Sequence, residues 1–346
     1  MRVLTGHVGH IMVAAFSPDG EFIATGGGED GTVRIWRTGL GNVVRVIHAH
    51  QGGDPISALE IGALQFSHCG RFLFSGGSDR AARCWRVDDG SLVKIYHRRG
   101  HRSYISAIQL SPDGRWLATA SGDNSVLLWS VVSGKVLKKH EACHGTHVID
   151  AALSPDGTIL ATVGVNSNVR LWDHRPGWLQ GVAGPLRPLE AIDRMEFLSV
   201  TFSPDGLLVA AGGRSSSSDE SSTVAIWRVF DGKLLGRLNP GGILADPLSG
   251  EVLTRPGEVH TLAFSPCGQY LGVADNRNGS SLWNAETRTL LATFPCSRVV
   301  AFSPDSRLIA VCEGSDFEGS DRLRLLGVRR AIRLRENLAT PASKED

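Results

Sequence analysis

The chain has 346 residues, 42% of them hydrophobic, with 36 basic against 35 acidic side chains and a net charge of +1. That balance gives no global pull toward nucleic acid or an anionic membrane surface, and no apolar run is long enough to span a bilayer. The opening MRVLTGHVGH has no signal-peptide core, and six cysteines (Cys69, Cys84, Cys143, Cys267, Cys296, Cys312) show no CxxC spacing. These features predict reduced thiols in a soluble, cytoplasmic protein with no cofactor.

In chain order, Arg2–Gly6 reads as a strand with no partner before it. Four short strands follow: Ile11–Phe16, Glu21–Thr25, Thr32–Trp36 and Val43–Ile47. The first two are hinged by Ser17-Pro18-Asp19-Gly20. In such a turn Pro presets φ, Asp bonds nearby backbone, and Gly accepts a left-handed conformation. The same phrase returns as Leu110–Ser130, LSPDGRWLATASGDNSVLLWS. An apolar residue followed by Ser-x-x-Gly recurs at Phe16, Phe66, Leu110, Leu153, Phe202, Phe264 and Phe302, the last ending in Ser306. The seven anchors are 50, 44, 43, 49, 62 and 38 residues apart. A Trp follows six of them, at Trp36, Trp85, Trp129, Trp172, Trp227 and Trp283, and Leu326 takes the seventh place. Two-strand hairpins cannot bury their faces alone, so a stack of repeats is required.

These seven in-phase units resemble the WD-repeat β-propeller family, although only Trp172-Asp173 spells the name. The resemblance implies an all-β, seven-bladed propeller of four-stranded antiparallel blades over residues 1–328, with an Arg-rich tail over 329–346. The expected closure is by the N-terminal strand, beside strands from Ser297–Val328. A competing assignment uses Ala331–Arg335. Arg329, Arg330, Arg333 and Arg335 form the basic cluster of the tail, expected to be a solvated edge that discourages strand addition, or else a dock for an acidic partner.

The family also implies a structural set in each blade: Asp in the b–c turn, His before strand a, a strand-b hydroxyl, and the Trp indole. His7, Thr25, Asp30 and Trp36 supply it in copy one, and His101, Thr119, Asp123 and Trp129 in copy three. Copy four has His144, Thr162, Asn166 and Trp172. Copy two has Ser75, Asp79 and Trp85, with Ser57 where His is expected, and copies five to seven largely lack the set. A hydrolase triad would be singular and accompanied by an oxyanion site; repetition argues for architecture. Blades five to seven are expected to be less rigid. The glycine runs at Gly26-Gly27-Gly28 and Gly76-Gly77 precede turns, with no following helix, and are not phosphate loops.

The a–b and c–d turns are nearly uniform, whereas Ala49–Glu60, Gln180–Glu196, Asn239–Glu258, Arg214–Ser222 and Glu313–Asp321 are long. All five fall in d–a or b–c connections, which share the top face of a propeller, and recognition concentrates in such loops. The residues six places before each anchor are His10, Glu60, Tyr104, His147, Glu196, Glu258 and Cys296. They predict an acidic, titratable mouth able to accept Lys or Arg, with Tyr104, Arg255, Arg277 and Phe317 as anchors. The preferred function is a non-enzymatic scaffold binding a protein or peptide on its top face, as a monomer or within a complex. Two alternatives are a module docked through its edge or Arg-rich tail, and a metal-dependent hydrolase with a central site. No nucleic acid, membrane or resident metal is expected.

Overall fold

The computed structural model describes residues 2–50, 60–97, 100–141, 143–164, 169–174, 186, 189–192, 195–215, 222–240, 244–245, 252–253, 257–295, 298–313 and 321–339. Its short strands alternate so that the middle strands of each sheet are buried on both faces, as Phe22–Gly27 and Phe72–Gly77 show. No sheet of this kind is stable in isolation, and the fold supplies both covers by placing seven sheets round a ring. The first blade is Ile11–Phe16, Phe22–Gly27, Thr32–Arg37 and Val43–His48, paired in that order. Blades two and three begin at Ile61–Phe66 and Ile105–Leu110, and blades five and six at Met195–Phe202 and Val259–Phe264, each with four antiparallel strands. Blade four has Val148–Leu153, Ile159–Gly164 and Arg170–Asp173 among the described residues, and the Leu186 N–H donates to the Leu171 carbonyl on its outer edge.

Seven hydrophobic clusters fill the seven gaps between neighbouring blades. One joins Ile35 and Ile47 of blade one to Ile61 and Trp85 of blade two; another joins Leu4, Leu323 and Leu325 of blade seven to Ile23 and Trp36 of blade one. Each apolar face is therefore desolvated by the next blade, at roughly 25 cal/mol per Å2 of apolar area.

Closure uses the N-terminal strand. Arg2, Val3 and Leu4 pair antiparallel with Leu325, Arg324 and Leu323, adding the fourth strand to Val300–Phe302, Leu308–Glu313 and Arg322–Gly327. The competing strand at Ala331–Arg335 does not form. Val328–Ala339 is an α-helix instead. Val328 and Ala331 pack against Ala292 and Phe294, so the helix lies over the outer strand of blade six, with Arg329, Arg330 and Arg333 exposed. The residues assigned to the tail thus begin within a helix that starts at Val328.

The turns behave as their chemistry requires. Ser111 donates to Asp113, whose carboxylate also accepts the Arg115 N–H, and Gly114 sits at φ +67°. In the seventh copy Ser306 takes this left-handed position at φ +58°, and its hydroxyl accepts the Cys267 N–H of the neighbouring turn at 3.0 Å. That bond offsets strain a glycine would avoid.

Candidate functional site: the hub and its top mouth

The innermost strand of six blades carries a bulge. Register slips past Met12, Gly62, Ser106, Ile149, Leu198 and His260. A bulge re-aims the unpaired residue, and all six line a central cavity of about 590 Å3. Side chains stitch the blades around it. Ser106 donates to the Val148 carbonyl at 2.8 Å and Thr261 to the Arg298 carbonyl at 2.7 Å. Asp150 accepts the Val200 N–H and the Ser199 hydroxyl, and the same hydroxyl oxygen accepts the Leu262 N–H. Burial pushes the Asp150 carboxyl up to about 6, against the Val200 N–H, the Ser199 hydroxyl and the Ala151 N–H, which favour its charged form.

Two strands of blade five are longer than their counterparts: Met195–Phe202 and Leu208–Ser215 have eight residues each, against six in blade one. The extra turns of pleat raise this hairpin above the top rim and place Glu196 opposite Arg214. Arg214 donates to Glu196 at 2.7 Å and to Glu258 of blade six at 2.5 Å, and these bonds raise its pKa further. His260 stands 3.7 Å from Glu258. Of the six described rim positions expected to form an acidic mouth, Glu196 and Glu258 line the cavity, and neither is an open acceptor because Arg214 spans them. Arg214 and Arg298 make the mouth mixed in charge, and burial lowers the pKa of His260 beside them. The sequence reading places Arg214 at the start of the b–c connection Arg214–Ser222, whereas it sits on a strand extension, beyond the residues the repeat makes comparable.

The other rim residues form separate contacts. Tyr104 meets His147 edge-on, with ring centroids 6.2 Å apart, and is partly exposed. Burial and the nearby Glu60 charge raise its hydroxyl pKa. His10 Nδ1 lies 3.3 Å from Asp321, whose other oxygen accepts the Ile11 N–H across the closing seam. Arg277 is exposed on the blade-six turn, where its N–H donates to Asp275. Arg255, Phe317, Cys296 and Asn166 lie outside the described residues, as do most of the five long connections. Within those connections, Leu189 and Ile192 pack into the blade-five core, and Leu244–Ala245 pairs with Val252–Leu253.

The repeated His–hydroxyl–Trp sets lie between the blades, away from the hub. In blade one, His7 Nδ1 bonds Asp30 at 2.9 Å, His7 Nε2 lies 2.7 Å from Thr25 Oγ1, and the Trp36 indole donates to the same oxygen at 2.8 Å. Because Asp30 only accepts, Nδ1 carries the proton and Thr25 donates to Nε2. Blade three repeats this with His101–Asp123 at 3.2 Å, His101–Thr119 at 2.7 Å and Trp129–Thr119 at 2.8 Å. In blade four, His144 and Trp172 meet Thr162 at 2.8 and 2.9 Å. Burial alone raises the carboxyls of Asp30 and Asp123, but the histidine bonds and local N–H donors win and hold both well below the usual range. The Thr25 and Thr119 hydroxyls are wholly buried, each giving its proton to His and accepting an indole. Neither is placed as a nucleophile.

Blade two corrects the sequence reading. Ser57 lies outside the described residues, and the ring comes from His50, with Nδ1 2.7 Å from Asp79 and Nε2 2.8 Å from Ser75. Trp85 completes the set at 2.8 Å. The long connection is inserted after the histidine, so counting back from the next strand misses it. Counting forward from the preceding Trp finds it: His50, His101 and His144 stand 14, 16 and 15 residues after Trp36, Trp85 and Trp129. In blades five and six, Trp227 donates to the Glu190 carbonyl and Trp283 to Ser281.

Among the described residues, no group of three or more His, Cys, Asp or Glu is placed to hold a metal ion, and no helix is long and apolar enough to cross a membrane. None of the curated proteins matches the chain. The family described as WD domain, G-beta repeat, matches residues 1–37, 41–86, 90–130 and 134–173. Each match runs from an outer strand into the next blade, which is why the first one borrows its outer strand for blade seven. With four matched repeats continued by three blades of the same register, the chain belongs to the WD-repeat β-propeller family, whose members are generally non-enzymatic scaffolds that bind proteins or peptides.

Proposed function

We propose that this propeller is a non-enzymatic scaffold whose partner, a protein or peptide segment, engages the top face at the mouth of the hub. The observation that carries this reading is the raised blade-five hairpin, which sets Arg214 between Glu196 and Glu258 over an open cavity. Such a mouth offers a half-exposed Arg214 donor fork already held in place by Glu196 and Glu258, so little side-chain entropy is lost when a partner's acceptors meet it. Tyr104 and His147 add a half-exposed aromatic contact on the same face. Five described cysteines are free thiols, in keeping with a reducing cytoplasm.

The test is site-specific photo-crosslinking in native extract, with the reactive group at Glu60, Tyr104 or Arg214, or at Arg115 or Arg307 on the opposite face. Adducts of one defined partner from the first three positions only, lost on Tyr104→Ala with Arg214→Ala, are expected. Equal labelling from Arg115 and Arg307 overturns the top-face assignment.

A further inference from the structure

A groove of about 410 Å3 opens at the outer rim between blades one and two, on the side of the uniform turns. Its chemistry is not shared round the ring. The first residue of strand b faces the last of strand c as Phe22 opposite Arg37 and Phe72 opposite Arg86. The same place holds Trp116 and Ser130 in blade three, Ile159 and Asp173 in blade four, and Tyr270 and Asn284 in blade six. The two blades that combine Phe with Arg here are neighbours, and both pairs line the one groove.

The cations of the groove have little counter-charge. The Arg37 guanidinium lies over Phe22 at 5.9 Å and that of Arg71 over Phe72 at 6.0 Å. Neither forms an ion pair among the described residues. Arg45 donates to the Val44 and Asp88 carbonyls, which fix its position without neutralising it. Among the described residues Arg86 pairs only with Asp89, 4.0 Å away with both side chains exposed, Asp88 is the one carboxylate on the lining, and Asp19 stands beside Gly70 at its edge. Ile35, Val44 and Val87 join the Phe22 ring in an apolar floor, and the Phe72 ring, at the groove's edge, packs into the core between blades two and three.

We propose that this groove is a second binding site, independent of the top mouth, and that it takes a short acidic peptide segment of a partner with aliphatic side chains between its carboxylates. Guanidinium groups held against aromatic rings present planar donor forks that match carboxylates. The floor between them suits an aliphatic side chain. A single groove on a chain of net charge +1 offers no extended basic track of the kind a nucleic-acid backbone needs.

Cys69 supplies a reporter. It is exposed, immediately precedes the lining residues Gly70 and Arg71, and its thiol is drawn down to about 7 by the Ser67 hydroxyl and the donors of Arg71. Cys267 is exposed at the same turn position in blade six and serves as internal control.

The probe is a fluorescein-labelled heptapeptide alternating Asp and Leu, followed by anisotropy and by alkylation rates of the two thiols read by mass spectrometry. Saturable, salt-sensitive binding is expected, with Cys69 alkylation slowed several-fold and Cys267 unchanged. Arg37→Glu with Arg86→Glu weakens binding at least ten-fold, and the charge-matched Arg115→Glu with Arg307→Glu changes it less than two-fold. If the reversal variant unfolds, Arg37→Gln with Arg86→Gln is read instead, and the thiol protection needs no variant. Equal weakening by both pairs, equal binding of an Asn-for-Asp peptide, displacement by oligothymidylate, or no saturation at millimolar peptide each overturns the proposal.

Discussion

Lowering the pH from 7.5 to 5 should destabilise the fold through its buried histidines, above all those between blades three and four. Four rings stack there: Trp116 on His174 at 5.5 Å, His174 on His140 at 5.5 Å, and His140 on Trp172 at 5.0 Å. Burial depresses His140 to about 4, helped by the Lys138 charge, and His174 to about 3, helped by His140 and Lys138. His144 is held at about 4 by burial and Arg170. Their folded pKa values lie below the unfolded value of about 6.5, so below that pH the unfolded chain binds protons the folded one refuses, and stability falls. Over 1.5 pH units at about 1.4 kcal/mol per unit, each ring costs roughly 2 kcal/mol at pH 5. Asp150 works the other way: its pKa is raised, so protonation near pH 6 returns about 1 kcal/mol as the pH falls. Asp30 and Asp123, held low, lose their contribution only in stronger acid. The assay is urea unfolding followed by tryptophan fluorescence at both pH values for the native chain and for His174→Phe, which keeps a ring in the stack. The variant should lose about 2 kcal/mol less between the two pH values, a difference in which any fixed packing cost cancels. An identical loss in both proteins refutes the assignment of acid sensitivity to this stack.

Two further perturbations follow from the same geometry. His50→Ala leaves Asp79 and Ser75 without the ring they bond and opens a cavity, so it should cost about 2–4 kcal/mol in urea unfolding, whereas exposed His48→Ala should stay within about 0.5. A loss under 1 kcal/mol at His50 would show that blade two does not rely on it. Deleting residues 1–5 removes the closing strand and buried Leu4, baring the Arg322–Gly327 edge. A Tm drop with higher-order species on size-exclusion chromatography is expected, and an unchanged monomer would reject closure by this strand.

The architecture was legible because every blade solves the same burial problem, so anchors, turns and indoles recur in register. Leu326 shows how far this extends: it lacks the indole yet pairs with Ile309 as Trp36 pairs with Ile23. What was not legible came from residues that break register. His50 is displaced by an insertion, and Arg214 lies on a strand extension with no counterpart to compare. The helix at Val328–Ala339 was hidden because its arginines suggested solvent, while Val328, Ala331 and Ile332 supplied a narrow apolar face that needed blade six to be seen.

The same contrast bears on where binding specificity resides. Residues that repeat are engaged by one another: the hydroxyls bond histidine and indole, the turn carboxylates bond their own backbone, and the inner strands bury into adjacent blades. A partner could contact them only at the cost of the fold. Groups that depart from the repeat have donors or charge left over. Arg37 and Arg71 lie over rings with no carboxylate partner among the described residues, and the Arg214 fork is held on an added length of strand at the rim. Substitution at either place leaves the blade interfaces untouched, so recognition there can change without loss of the propeller, and the top mouth and the blade-one groove should fail independently when each is mutated.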